Sequence, residues 1–387
     1  MRKVLAFLVS MIFVLVCAGA NADVIYLTDS GELGRISVAK SISADLRGTQ
    51  YTVSWSDPFL GSYWDGSNTR VILVDRNTDT TTSGDTALVF NPSDLTSPID
   101  STRKVLDGLY SAQVMTGSDN GRAIFFASGA SIYEFSTSNF SLSRSYTYKP
   151  KTSEDMTAEI AGLITGTNVI YALVQQTNSR DVLLRFDGQL REDVSGSFEK
   201  VLLAENTTAI SWLNDTRIAI SHKDGVHVRG SSNVFAWIVS SDVPAKAVCR
   251  DSGSGFYFIE QSESEDICTT TLKHYNSSTE EISTLFVNTE GHVCQLVRDG
   301  DNGIMAAIVG DEILVYKMEK DELLGEYDSS QLGSNPVQIA ASAVSGDDGS
   351  TKSGCSLSGM GAVMIFLAGM RVIRKRRGNS QNEKCVL

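Results

Sequence analysis

Seven times along the chain a short run of apolar and small residues returns, at intervals of roughly 40 to 50 residues. That recurrence excludes most architectures, because a fixed period of this length marks a repeat fold in which each unit buries its faces against its neighbours. The runs begin at Val24, Val71, Ala123, Val169, Arg217, Phe256 and Ile304 and read VIYLT, VILV, AIFF, VIYAL, RIAI, FYFI and IMAAI. A polar turn follows, then an alternating segment such as SIYEF from Ser131, VLLRF from Val182 or EILVY from Glu312. A further segment comes after, as at 198–204 and 281–287. Another apolar stretch precedes the run and closes in Asn, Asp or Gly, as Asp119-Asn120-Gly121 and Asn214-Asp215 do. Those residues tolerate the positive φ of tight hairpins, so each unit reads as a four-stranded antiparallel sheet.

The first run, 24–28, has no strand before it to pair with, and the segment 337–344 has the composition of that missing strand with no run after it. Pairing the two closes a ring and leaves no exposed edge. The expectation is an all-β, seven-bladed β-propeller over residues 23–344, with six or eight blades left open. Helical signals are sparse. The best is 101–110, with Asp100 placed as an N-cap, read as an insertion between blades. The segment LVFNPSDL from Leu88 resembles the strand-then-turn signature of secreted bacterial propellers with degenerate, WD40/YVTN-like blades. That resemblance implies a fold and no activity.

Both ends carry delivery signals. Arg2 and Lys3 precede an apolar run of about a dozen residues, and Ala20 and Ala22 put small side chains where a signal peptidase reads. The run is short of the roughly 20 residues that a spanning helix needs, so 1–22 reads as a cleaved signal peptide. At the other end a Gly/Ser/Asp spacer, 345–353, leads to Gly354-Cys355, an apolar stretch 357–370, and Arg371, Arg374, Lys375, Arg376 and Arg377. A single hydrophobic helix is expected there, its basic flank cytoplasmic and the body outside.

This tail resembles the tripartite C-terminal sorting signals of bacteria, of the Synergistes and myxobacterial type. The resemblance rests on Gly354, Cys355, the apolar helix and the terminal arginines. It implies that a sorting protease cuts near Gly354-Cys355 and that Cys355 receives a lipid or other anchor. Such tails usually stop at the arginines, whereas this chain continues through 378–387, so a plain type I membrane anchor remains the alternative. An exported cell-envelope or surface location follows from either form.

The formal charge of −13 conceals a split: the two ends are basic, and the body between them carries about −20. Such a body repels nucleic acid and favours cationic partners. Three cysteines remain in it, Cys249, Cys268 and Cys294, an odd number with no CxxC spacing. One structural disulfide or none is expected, and no zinc site.

No G-x-S-x-G elbow, P-loop or H-E-x-x-H motif is present. The residues 75–79 begin like a calcium loop, but Thr80 and Thr86 replace the glycine and the bidentate glutamate. His222 and His227 flank a Lys223-Asp224-Gly225 turn, and His274 and His292 fall in other units, so all four read as surface or hairpin histidines. The segment 58–64, with Phe59, Tyr63 and Trp64, reads as a loop that either binds a partner or packs on itself. One pattern stands out. The turns after the seven runs should open on one face, and they carry Asp29, Glu32, Asp79, Asp85, Asp181, Asp224, Glu263, Glu265, Asp266, Asp311 and Glu312. The expected face is acidic, suited to a divalent cation or a basic partner, or simply solvated; no other cofactor is indicated.

Two functions fit these residues. A non-enzymatic envelope propeller that binds or scaffolds an unknown protein or glycan needs only export, an anchor and a rigid disc. The alternative is an envelope carbohydrate-active enzyme, a lyase or hydrolase, with carboxylates at the channel.

Overall fold

A computed structural model describes residues 22–341 except 40–42, 56, 78–82, 151–156, 167–168, 178, 187–189, 191–197, 204–205, 215–216, 230–234, 264–267, 291 and 300–301. The described residues form seven four-stranded antiparallel sheets arranged as the blades of a propeller. Six blades use consecutive strands. Blade 1 is shared between the chain ends, with Pro336–Ala341 as its innermost strand beside Ala22–Thr28, Glu32–Ala39 and Ser43–Thr52. Val24 lies opposite Ala341 and Leu27 opposite Gln338, so the ring closes as the sequence implied.

Every one of the seven apolar runs is the second strand of its blade. The reason is burial on two faces: a blade is sandwiched between two others, so its second strand needs apolar or small side chains at consecutive positions. All seven residues of Ile304–Gly310 are buried. Burial falls off outward, and the third strand Cys268–Asn276 alternates while the outer strand Glu281–Asn288 is mostly exposed.

The hydrophobic core accordingly lies between blades. Val24 and Tyr26 pack with Val297, Ile304 and Ile308 of blade 7, whereas Ile25 and Leu27 pack with Leu60, Val71 and Leu73 of blade 2. Alternate residues of one strand thus serve two seams, as a period of two requires.

Neighbouring innermost strands are joined by side chains rather than by a ladder. Gln295 of blade 7 donates Nε2 to the Ile339 carbonyl (2.9 Å) and accepts the Ile339 amide at Oε1 (2.8 Å). Gln338 accepts the amide of Leu60, Trp212 Nε1 donates to the Thr165 carbonyl, and Thr208 Oγ1 donates to the Ala245 carbonyl. Gln295 and Ile339 are both buried, and an orphaned buried polar group costs about 1–3 kcal/mol. Replacing Gln295→Ala orphans two, so a loss of roughly 2–6 kcal/mol is expected in urea unfolding; an unchanged midpoint would show that the ring does not need this link.

Two local expectations are corrected. The segment 101–110 is not a helix: Lys104–Asp107 is the outer strand of blade 2, paired with the residues from Gly84 to Ala87. Asp100 accepts the Thr102 amide in a short turn and pairs with Lys104 instead of capping a helix. Nor is Pro58–Trp64 a loop. It is the innermost strand of blade 2, with Phe59, Leu60 and Tyr63 buried. Gly61 sits there because a Cβ would fall 2.0 Å from the Met115 sulfur of blade 3. The one α-helix among the described residues is Ser329–Leu332. Asp328 and Gln331 form its capping box, and Gly333 (φ 92°) ends it.

No helix among the described residues is long and apolar enough to cross a membrane. The signal segment with Ala20, and the tail with Gly354, Cys355 and the apolar stretch 357–370, lie outside the described residues. Ala22 is the first residue of its strand.

Candidate functional site

Four antiparallel strands per blade fix which loops share a face. Turns between the second and third strands, and the connections from each outer strand to the next blade, open on one side, here called the connector face. The remaining turns open on the opposite side.

The acidic residues expected on the connector face divide into two sets. Asp85 and Asp181 are buried and belong to the framework, contrary to the expectation. Asp85 is the second residue of the third strand of blade 2 and Asp181 just precedes that of blade 4, and each accepts backbone amides from two directions. Asp85 takes those of Asn77, Ser111 and Ala112 at 2.6–3.0 Å. Asp181 takes those of Gln176 and Thr207, and the Thr207 hydroxyl, at 2.7–2.9 Å. Both carboxylates tie a turn to the start of the next blade. Burial pushes both pKa values up against these bonds.

The second set is open to solvent. Asp29, Asp224 and Glu263 are exposed, and Glu32, Asp311 and Glu312 are half-buried. Asp79, Glu265 and Asp266 lie outside the described residues. Asp311 and Glu312 help line a cleft of about 410 Å³ between blades 6 and 7 and the helix, together with Asn288, Glu290, Asp328 and Ser330. Asn288 Nδ2 donates to Asp311 Oδ1 (3.1 Å) and Glu312 Oε2 (2.9 Å). Burial and the nearby charges of Glu326, Asp311 and Asp328 raise the Glu312 pKa. Among the described residues, no group of three or more His, Cys, Asp or Glu side chains is placed to hold a metal ion.

A carboxylate that the turn pattern missed stands nearer the axis. Glu159 is the second residue of the innermost strand of blade 4, Ala158–Gly166, at its connector-face end. Gln113, at the same end of blade 3, accepts the Gly129 amide at Oε1, which turns its Nε2 toward Glu159 Oε1 at 2.8 Å. Burial raises the Glu159 pKa, and no charged neighbour among the described residues offsets it. A desolvated carboxyl of this kind exchanges protons nearer neutrality than an ordinary one. Its signal in the sequence was a charge within an apolar strand.

His292 is exposed, as expected, and His222 and His227 do flank a hairpin turn, but these two and His274 are buried. His222 and His227 stack at 4.9 Å on the second and third strands of blade 5. Burial, and then the His222 ring, push His227 down to about 4. His274 lies on the opposite face in the seam between blades 6 and 7. Its Nδ1 is 2.7 Å from Asp321 and its Nε2 is 3.2 Å from Asp251. Tyr257 stacks on the ring at 4.4 Å and donates its hydroxyl to Asp321 at 2.8 Å. Burial works to lower the His274 pKa, but the two carboxylates overcome it and lift the value to about 9. Both ring nitrogens are engaged, so this cluster is a lock between blades.

Seven four-stranded sheets with a blade sewn from both chain ends define a seven-bladed β-propeller. No family model matches the sequence, and no curated protein matches it. Solved propellers do match its fold. The periplasmic gluconolactonase of Pseudomonas aeruginosa superposes with a TM-score of 0.60 at 12% identity, covering 84% of this chain and 100% of that one. A protein of Bacteroides fragilis assigned as a 6-phosphogluconolactonase gives 0.58 at 12% identity, covering 84% and 99%. A protein of unknown function from Desulfotomaculum acetoxidans gives 0.54 at 9% identity, covering 83% and 99%. At such identities the likeness is one of fold.

Proposed function

We propose that the protein is an exported, membrane-tethered propeller hydrolase that opens a sugar-derived lactone at the connector-face mouth of its channel, with Glu159 as the acid/base group. The observation that carries this reading is the Glu159 carboxyl, desolvated and aligned by Gln113 at the end of an innermost strand. The gluconolactonases of the same fold support it. The carboxylate takes a proton from water as the water oxygen bonds to the lactone carbonyl carbon. The ring C–O bond then breaks, and the protonated carboxyl returns its proton to the departing oxygen. A neutral lactone suits the surrounding charge better than a phosphorylated one, since Arg76 is tied to Asp57 and Arg180 to the Leu203 carbonyl. The tail places this disc at the envelope, through a membrane helix or through cleavage and anchoring near Gly354-Cys355.

Glucono-1,5-lactone opening, corrected for the spontaneous reaction, tests the reading. Glu159→Gln is expected to cut kcat by about 10²–10⁴-fold with the fold intact. The acid limb of the wild-type pH profile should lie above the usual carboxylate range. No acceleration by the wild-type protein would remove the enzyme.

The acidic cleft at Asp311 and Glu312 favours a second reading, a scaffold for a basic partner or a divalent cation. In that case Glu312→Gln should reduce thermal stabilisation by calcium or polylysine, and equal stabilisation of both proteins would sink it.

A further inference from the structure

Cys268 and Cys294 come from different blades and approach each other beside the Thr270 hydroxyl. Cys268 opens the third strand of blade 6, at the connector-face end. Cys294 is the second residue of the innermost strand of blade 7, Val293–Asp299, at the same end. The Cys268 sulfur is 4.0 Å from Thr270 Oγ1, and the Cys268 thiol and the Thr270 hydroxyl both stand close enough to the Cys294 thiol to act on its proton affinity. Gln261 holds the two strands together, its Nε2 donating to the His292 carbonyl (3.1 Å) and to Thr270 Oγ1 (3.4 Å). Cys294 packs on the apolar core of this seam. Cys249 is elsewhere: it is the fifth residue of the innermost strand Ala245–Arg250, toward the opposite face. Three residues of strand separate it from Lys246, whose charge acts on both Cys268 and Cys294, which places it about 10 Å along the seam, beyond the roughly 7 Å that a disulfide spans between Cα atoms.

We propose that Cys268 and Cys294 form a disulfide across the seam between blades 6 and 7 when the protein meets an oxidising compartment, and that Cys249 stays a thiol. Each thiol gives up its proton and one electron as the sulfur–sulfur bond forms. The disulfide donor, a small-molecule or protein disulfide, is reduced to two thiols that take up those protons. An odd number of body cysteines is thereby resolved into one cross-link and one buried thiol. The cross-link joins the start of the third strand of blade 6 to the blade that abuts the shared closing blade, where an added tie resists opening of the ring.

The thiolate is the reacting form. Burial first, and then the neighbouring thiol, raise the Cys294 pKa to about 12, and burial raises that of Cys268. Spontaneous exchange should therefore be slow at neutral pH and accelerate as pH rises, or with an oxidoreductase present.

Peptide mapping of the full chain after incubation with oxidised glutathione tests this directly. The expected product is a linked pair of peptides carrying Cys268 and Cys294, lost on reduction, together with an alkylatable Cys249 after denaturation. Cys249→Ser should retain the linked pair, and Cys268→Ser and Cys294→Ser should each lose it. The oxidised wild type should melt several degrees above its reduced form. A link from Cys249 to either partner overturns the proposal. So does full alkylation of both Cys268 and Cys294 after oxidation at pH 8.5. Neither result bears on the lactone reading, which needs no cysteine.

Discussion

Truncation after Gly333, which removes the closing strand Pro336–Ala341, is expected to abolish the cooperative unfolding transition and send the chain into aggregates. The strand buries Ile339, Ala340 and Ala341 and pairs along Val24–Thr28. Burial of an isoleucine contributes about 1.5–3 kcal/mol, and each net ladder bond adds about 1 kcal/mol. Together with the buried amides of Gln338 and Gln295, the loss reaches about 5–10 kcal/mol, comparable to the whole net stability of about 5–15 kcal/mol. It also strips the second strand of blade 1 to an open apolar edge, a template for intermolecular pairing. The matching control is a circular permutant that joins residue 341 to residue 23 through a short flexible linker and opens the chain in a loop between other blades. It should melt within a few degrees of the parent. Calorimetry and size-exclusion chromatography read both variants. A truncated chain with a wild-type melting transition would show that the shared blade is dispensable.

That closure was legible because it depends on composition at two ends, not on any particular contact. The seven second strands were legible for a similar reason: burial on both faces leaves an unbroken apolar run that no turn or outer strand imitates. The misread segments are those where local pattern is ambiguous. Lys104–Asp107 has four residues, too few to separate a period of two from one of 3.6. In Pro58–Trp64, proline and glycine resemble loop residues, yet the glycine answers a close approach from blade 3 that no local pattern announces. The short helix did leave a signal, since Asp328 and Gln331 stand at capping-box spacing with Gly333 just after.

The site was harder to read for a geometric reason. Turn position alone cannot say whether an aspartate points to water or to the next blade. Asp85 and Asp181 point to the next blade, where the backbone amides that start an innermost strand need acceptors. Asp311 and Glu312 occupy an equivalent turn but, among the described residues, their carboxylates meet only the Asn288 amide, and they are half-buried at the surface. Glu159 was hidden because its partner, Gln113, is 46 residues away. The acidic cleft at Asp311 and Glu312 lies at blade 7, while the desolvated Glu159 carboxyl sits at blade 4.

Raising the pH from 6 to 9.5 is expected to weaken the folded protein by about 3 kcal/mol through one residue, His274. Its partners lie 23 and 47 residues away, Asp251 in its own blade and Asp321 in blade 7. Asp321 is itself held below its usual value: burial pushes it up, but bonds from His274 and Tyr257 prevail. The ring is therefore an imidazolium between two carboxylates, with the Tyr257 hydroxyl kept protonated by burial and by Asp321. Because the folded pKa of about 9 exceeds the ordinary 6.5, the stabilisation is fully present below pH 6.5. It drains away as pH rises through 9, where the folded ring loses its proton. His274→Gln should remove this dependence, giving urea midpoints at pH 6 and 9.5 that differ much less than in the parent. Asp321→Asn should shift the window toward lower pH, since one of the two carboxylates that hold the proton is gone. The variant must be compared at both pH values, because replacing the ring also forfeits its stack on Tyr257 and lowers stability everywhere. Parallel losses in parent and His274→Gln would place the pH sensitivity elsewhere and leave the seam held by packing alone.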